Sequence, residues 1–183
     1  MGNEIYLFQN KEEFSSLTKK RINTFISIFN TYKKNGITAD VACGNKYIGE
    51  KVEAKYFYDY YCKDQTVRFC NLNSFKNNVL EKVDNIILSH AIEHFSSPKL
   101  VLDILFTEFL KNLGRLFIAC PNPEFDNKFK PYSLTIGHVS QITSQKIKSY
   151  TKKVNFRLLF SAENNLYKGY EELFFVLEKR VKK

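Results

Sequence analysis

Apolar positions along the chain follow two periods, and segments of the two kinds alternate. Over residues 11–33 (KEEFSSLTKKRINTFISIFNTYK), Phe14, Leu17, Ile22, Phe25, Ile26 and Phe29 fall at helical spacing, and KKNG closes the segment. TADVAC then reads as a buried strand, AKYFYDYY as an aromatic strand, TVRFCNL as a short one and VDNIILSH as an apolar run of strand length. SPKLVLDILFTEFLKNLG predicts an amphipathic helix, with Pro98 in its first turn and Gly114 just past its end. RLFIACPNP is a strand stopped by two prolines. A polar, proline-containing loop over 121–143 precedes a short helix (TSQKIKSYTKK) and two strands, FRLLFSA and EELFFVLEK. Strands alternating with helices through short connections predict an α/β fold: an open, mostly parallel sheet covered on both faces. Two strands in succession at the end add an antiparallel hairpin on one edge.

Composition narrows the class of protein. A chain of 183 residues suits one domain, and 44% hydrophobic residues with 17 Phe and 11 Tyr can fill its core. No stretch is long and apolar enough to cross a membrane, and MGNEIYLFQNKEEF lacks the layout of a signal peptide, so a soluble, cytoplasmic protein is expected. Cys43, Cys62, Cys70 and Cys120 form no C-x-x-C pair and are expected as reduced structural residues. The net charge of +9 raises affinity for nucleic acid, phosphates or acidic glycans, and it fits equally well a solvated lysine-rich surface.

Candidate chemistry gathers where strands end. In an open α/β sheet, ligands bind outside the carboxyl ends of the strands, at the topological switch point. The first strand ends in ADVACGNK, with Ala42, Gly44 and Lys46 at the spacing of a three-glycine nucleotide turn. Gly44 lets backbone approach a ligand, and Asp40 sits near the strand's tip. Asp59 ends the second strand, where an acidic side chain can accept both hydroxyls of a ribose. One remaining glycine suits a nucleoside better than a pyrophosphate, which needs several exposed backbone N–H groups. Lys46 in place of the last glycine also argues against close helix–strand packing of the dinucleotide-binding kind.

Taken in order, five blocks resemble the class I S-adenosylmethionine-dependent methyltransferases. DVACGNK resembles their first motif, YFYD the acidic end of their second strand, and FCNLNSF the end of their third. VDNIILSHAIEHFSSP is similar to their fourth-strand block and FLKNLGRLFIACPNP to the fifth, in the branch with GCGN and SHxxEH motifs, often glycan-modifying. The match spans about residues 37–145. The resemblance implies a Rossmann-like sheet and S-adenosyl-L-methionine as cofactor, leaving as S-adenosyl-L-homocysteine. It implies that Ala42, Cys43 and Gly44 underlie the methionine part, with Asp40 beside them. Asp59 would hold the ribose, Asn71 and Leu72 flank the adenine, and Ser89 and His90 lie beside the methyl group. The chain departs from the pattern at Ala42 (a glycine there), Asn71 (often Asp) and Asn112-Leu113 (Pro-Gly). It implies one methyltransferase domain over 1–183: a helical cap (1–35), a cofactor-binding half (36–120) and an acceptor-side loop with C-terminal strands (121–183).

Methyl transfer from a sulfonium to a hydroxyl needs alignment, exclusion of water and a proton acceptor, a task for which histidine is suited near neutral pH. The chain has three histidines: His90, His94 and His138. His90, at the end of the fourth strand, and His138, in the loop after the fifth, are the candidate bases, unranked. Glu93 and His94 are expected to tie the loop to the following helix. His90 and His94 also invite a metal reading, but such pairs are common at strand ends without one, and no metal is expected. With no inserted domain to enclose a small substrate, only the amino-terminal helix and the 121–143 loop could cover the site. An acceptor presented from outside is favoured, a glycan or nucleotide-sugar, and the resemblance points the same way. RNA or a small molecule is an alternative acceptor, nucleic acid being possible but not favoured, because no RNA-binding signature accompanies the charge. A non-catalytic scaffold of the same fold is the alternative of another class. The oligomeric state is left open.

Overall fold

The computed structural model describes residues 11–61, 65–74, 81–123, 137–153, 155–167 and 170–181. Its first helix, α1 (Lys11–Tyr32), leads into strand β1 (Thr38–Val41), a short helix α2 (Tyr47–Lys51), then β2 (Tyr56–Asp59), β3 (Val67–Phe69) and β4 (Val83–Ser89). Helix α3 (Pro98–Ile104), strand β5 (Leu110–Pro121), helix α4 (Ser144–Lys153), and strands β6 (Phe156–Tyr167) and β7 (Tyr170–Lys179) complete it. The strands form one sheet in the order β3-β2-β1-β4-β5-β7-β6. Neighbours from β3 to β5 are parallel, whereas β7 runs antiparallel to both β5 and β6. The mostly parallel sheet and the antiparallel terminal hairpin agree with the sequence pattern. The order reverses between β1 and β4, which places the switch point there.

Both faces of the sheet are buried, so its central strands alternate between two apolar surroundings rather than between core and water. On one face Ile87, Phe117, Phe174 and Val176 meet Phe25 and Phe29 of α1. Phe29 lies 4.8 Å from Phe117 between ring centroids, a contact suited to a tilted aromatic pair. On the other face Ile86, Leu88, Leu116, Ile118 and Phe175 pack with Val101, Leu102 and Ile104 of α3 and Ile147 of α4. Within the segment expected as a helical cap, Phe25 and Phe29 thus pack in the core. No described helix is long and apolar enough to cross a membrane.

One element differs from its prediction. The helix expected to run to Gly114 stops as α3 at Ile104, continues as a single π-helical turn over Leu105–Phe109, and gives way to β5 at Leu110. The pairing of β5 with β4 shifts between Val83↔Leu110 and Asn85↔Arg115, and Leu113 takes φ 61° within that irregular stretch. Tertiary contacts end the helix: Phe109 and Leu110 are fully buried, and Lys179 of β7 donates to the carbonyls of Phe106 and Leu110. Those carbonyls, orphaned at a helix end, gain their partner from a strand distant in sequence.

Candidate active site

At the carboxyl end of β1 the chain turns sharply. Ala42 and Gly44 have φ of 54° and 53°, and Lys46 has 62°. The left-handed conformation that a glycine would take freely is thus imposed on Ala42, at a cost of roughly 1–2 kcal/mol. The turn is tied down by the Cys43 N–H, which donates to the Tyr58 carbonyl (3.1 Å), and the Lys46 N–H, which donates to the Cys43 carbonyl (2.8 Å). A Cβ added at Gly44 would meet nothing within 4 Å, so its outer side is open. Cys43 is buried, and burial, with the Asp40 and Asp59 charges, pushes its thiol up to about 12. It is a packing residue, not a nucleophile.

Asp40, expected at the strand tip, is the penultimate residue of β1, but its side chain is turned into the core. It lies within β1, opposite Phe57 on one side and Ile87 on the other, and is 3% exposed. Its carboxylate accepts the Gly49 N–H at 3.0 Å and does not line the cavity described below. Burial pushes it up to about 7, against the lowering effect of the Gly49 hydrogen bond. Gly49 corrects a second expectation. A Cβ there would lie 2.5 Å from the Asp40 carboxylate and 2.6 Å from the Phe57 ring. Close helix–strand packing therefore exists, supplied by Gly49 rather than by a glycine at position 46.

A cavity of about 490 Å³ opens at the ends of β1, β2 and β4. One wall carries Asp59, Tyr60, Tyr61, Cys70, Asn71 and Leu72; the other carries His90, Ala91, His94 and Phe95; Ala42 lies between. Asp59 accepts the Gly44 N–H through Oδ2 (2.9 Å) and the Tyr61 N–H through Oδ1 (3.0 Å). Asn71 accepts the Asn73 N–H at 2.9 Å, a local turn that fixes its amide, and Leu72 is almost fully buried. The donor set fits a nucleoside: an acidic side chain at the β2 end, apolar and amide surface after β3, and an open glycine between them. Ser89, by contrast, ends β4 opposite Ala119 and is absent from the cavity wall.

Beyond β4 the chain places its ionisable groups together. His90 takes φ 50°, with its N–H donating to the Ala119 carbonyl (2.8 Å). Strain of this kind at a non-glycine residue is held by its surroundings and gathers at functional sites. The His90 ring sits between two buried carboxylates. Its Nε2 lies 2.6 Å from Glu172 Oε1, and its Nδ1 lies 3.5 Å from Glu93 Oε1. Burial and the Arg21 charge oppose the protonated imidazole, but Glu172, helped by Glu93, outweighs them and raises its pKa. His138 approaches the same Glu93 oxygen with Nε2 at 3.9 Å and is absent from the cavity wall.

Two charged residues near His90 (Glu172 and Arg21) have no signal in the local sequence pattern that marks them as its neighbours. Glu172, fully buried in β7, shares the strand face of Phe174 and Val176, so period-two alternation across EELFFVLEK already turns it inward. Glu93, expected to tie the loop to the following helix, is in addition almost fully buried at 1% exposure, which its position in the sequence does not show. The Arg21 charge, on α1, acts on His90 across the fold.

The fold is the Rossmann-like fold of S-adenosylmethionine-dependent methyltransferases, and solved structures of that class match the chain over most of its length. The N-methyltransferase NodS from Bradyrhizobium japonicum WM9 aligns with a TM-score of 0.64 at 10% identity, over 90% of this chain and 97% of its own. A methyltransferase from Thermotoga maritima, described as a possible histamine N-methyltransferase, gives 0.69 at 11% identity, over 92% and 96%. Magnesium protoporphyrin IX methyltransferase from Synechocystis PCC 6803, solved with bound S-adenosylhomocysteine, gives 0.65 at 10%, over 94% and 89%. No protein-family model matches the sequence, and no curated protein matches it.

Proposed function

We propose that the protein is an S-adenosylmethionine-dependent O-methyltransferase acting on a sugar hydroxyl of a glycan or nucleotide-sugar, with His90 as general base. The observation that carries this reading is the cavity with a nucleoside-type wall (Asp59, Asn71, Leu72) facing a histidine backed by a buried carboxylate. When bound, the cofactor would supply an electrophilic methyl group on sulfur for in-line displacement by the acceptor oxygen.

The chain's own residues do the rest. Asp59 binds the ribose hydroxyls, and the Ala42–Gly44 turn bounds the methionine side. Glu172 accepts a hydrogen bond from His90 Nε2–H, and Nδ1, which lies 3.5 Å from the Glu93 carboxylate, is the nitrogen that takes the hydroxyl proton when the acceptor binds. Because Glu172 favours the charged imidazole, the protonated base is stabilised as it forms. His90 is preferred to His138 because it lies on the cavity wall and His138 does not.

Thermal unfolding with S-adenosylhomocysteine, NAD serving as control, tests the cofactor. Ligand at a hundred times its dissociation constant adds about 2.7 kcal/mol, a rise of roughly 5–10 °C for a domain of this size. Asp59→Ala should weaken that binding by roughly 10–100-fold, the value of charge-assisted hydrogen bonds worth about 1.5–3 kcal/mol. His90→Ala should lower turnover by roughly 100-fold or more while leaving S-adenosylhomocysteine affinity close to the parent's. No stabilisation by the ligand would remove the cofactor, and equal loss of affinity in His90→Ala would remove the base. A neutral glycan turned over independently of salt supports the sugar, whereas turnover of RNA that falls steeply with salt replaces it.

A further inference from the structure

We infer that Glu93, His94 and His138 form a binding site for a divalent transition-metal ion, on the acceptor side of the cavity. One ligand atom from each of the three lies within 4.8 Å of the others. No metal is expected from the sequence, where His90 and His94 are the pair that invites one; the fold brings His138 to Glu93 and His94.

Four observations support the site. The Glu93 side chain is 1% exposed and makes no short hydrogen bond among the described residues: its contacts are His90 Nδ1 at 3.5 Å and His138 Nε2 at 3.9 Å, both on Oε1. A buried carboxylate with contacts no shorter than these gains from a closer cation. His94 donates Nδ1–H to the Gly137 carbonyl at 3.0 Å, which leaves Nε2 with the lone pair that a metal takes. A backbone carbonyl on the outer nitrogen is the arrangement that orients metal-ligating histidines. The loop carrying His138 is fastened to Glu93 itself, whose carbonyl accepts the N–H groups of Val139 (2.9 Å) and Ser140 (3.0 Å). Ser140 Oγ adds a bond to the Phe95 carbonyl at 2.6 Å. The imidazoles of His94 and His138 meet edge to face, 4.9 Å between centroids.

Two imidazoles and one carboxylate suit zinc, cobalt or another borderline ion better than magnesium or calcium, which prefer all-oxygen sites. Ligands 2.0–2.1 Å from a tetrahedral ion lie roughly 3.3 Å apart, so the cluster, with His138 Nε2 3.9 Å from Glu93 Oε1, contracts on loading. Three protein ligands leave coordination positions open, and His94 is on the cavity wall. Resting on the proposed methyl transfer, the ion's role is to hold the acceptor hydroxyl oxygen as a Lewis acid and ease release of its proton. Ion binding itself does not depend on that reading.

The test is a titration of the full chain with Co²⁺, read by its visible ligand-field absorption and by thermal unfolding, with Zn²⁺ in competition and Mg²⁺ as control. The expected result is one Co²⁺ per chain, displaced by Zn²⁺, raising the unfolding temperature where Mg²⁺ does not. Glu93→Gln and the exposed-site variant His94→Ala should each weaken Co²⁺ binding at least about tenfold; circular dichroism confirms that each is folded. Absence of a Co²⁺ spectrum in the parent, or unchanged binding in both folded variants, overturns the site. S-adenosylhomocysteine stabilisation, measured in the same samples, reads the cofactor wall separately, so loss of one proposal is distinguishable from loss of the other.

Discussion

On one side of β1 the sheet ends quickly, for β2 has four residues and β3 three; on the other side β5, β7 and β6 have 12, 10 and 12. The short side leaves Tyr60, Tyr61 and Phe69 exposed at its rim, whereas the long side buries Phe117, Phe174 and Phe175 almost completely. The two sides also treat charge differently. Asp59, on the short side, is held by two backbone N–H groups at an open edge, while Glu172, on the long side, is wholly buried against His90. A ligand needs an edge it can enter, and a reacting group needs surroundings that do not move. On the proposed reading the molecule supplies these from opposite ends of one sheet, meeting at the switch point.

The contrast can be broken most severely on the long side. Phe117→Ala removes the ring that packs on Phe29 of α1, and by the usual cost of emptying a buried aromatic site it should destabilise the chain by about 3–5 kcal/mol. Urea unfolding measures this. A loss below about 1 kcal/mol would mean that α1 is not a layer of the core.

Asp40 sharpens the comparison, because it is the buried carboxylate of the short side. Its folded-state pKa, pushed up by burial to about 7, lies above the ordinary 3.8. The folded chain therefore keeps a proton that the unfolded chain releases between these values. The associated stability is fully present below about pH 3.8 and is lost as pH rises through about 7. Asp40→Asn keeps an acceptor for the Gly49 N–H and removes the charge. It should be more stable than the parent at pH 8 by up to roughly 4 kcal/mol, with little difference near pH 4. Urea unfolding at both pH values decides it, and a variant weaker than the parent at pH 8 would show that the carboxylate is held charged at no cost.

The smallest effect is expected at Ala42. Replacing it with Gly relieves the left-handed backbone but loosens the unfolded chain, so stability should change by between zero and about +1 kcal/mol. A clear decrease in unfolding temperature would mean that the methyl group packs usefully and that the departure from glycine is not merely tolerated.

Much of this architecture is written in local patterns. α1, β1, β2, β4 and the terminal hairpin follow from apolar periodicity, because each buries a continuous stripe or run. The acidic residue at the β2 end and the histidine at the β4 end are legible from their positions at strand ends. Asp40 was legible as polar but not as buried, since a four-residue apolar strand looks the same whether its one carboxylate faces ligand or helix. The helix running into Gly114 was misread for a related reason: its periodicity continues to Leu110, and only the partners of Phe109 and Leu110 across the sheet stop it.

The sequence by itself determined the order of elements, the parallel sheet and the strand ends at which a ligand can bind, because these depend on periodicity within a dozen residues. Tertiary structure alone decided which charges meet. Glu93 and His138 are separated by the whole of α3 and β5, and His90 and Glu172 by 82 residues, yet each pair lies within 4 Å. Pairings of that kind are fixed by sheet order and loop docking, which no local spacing encodes.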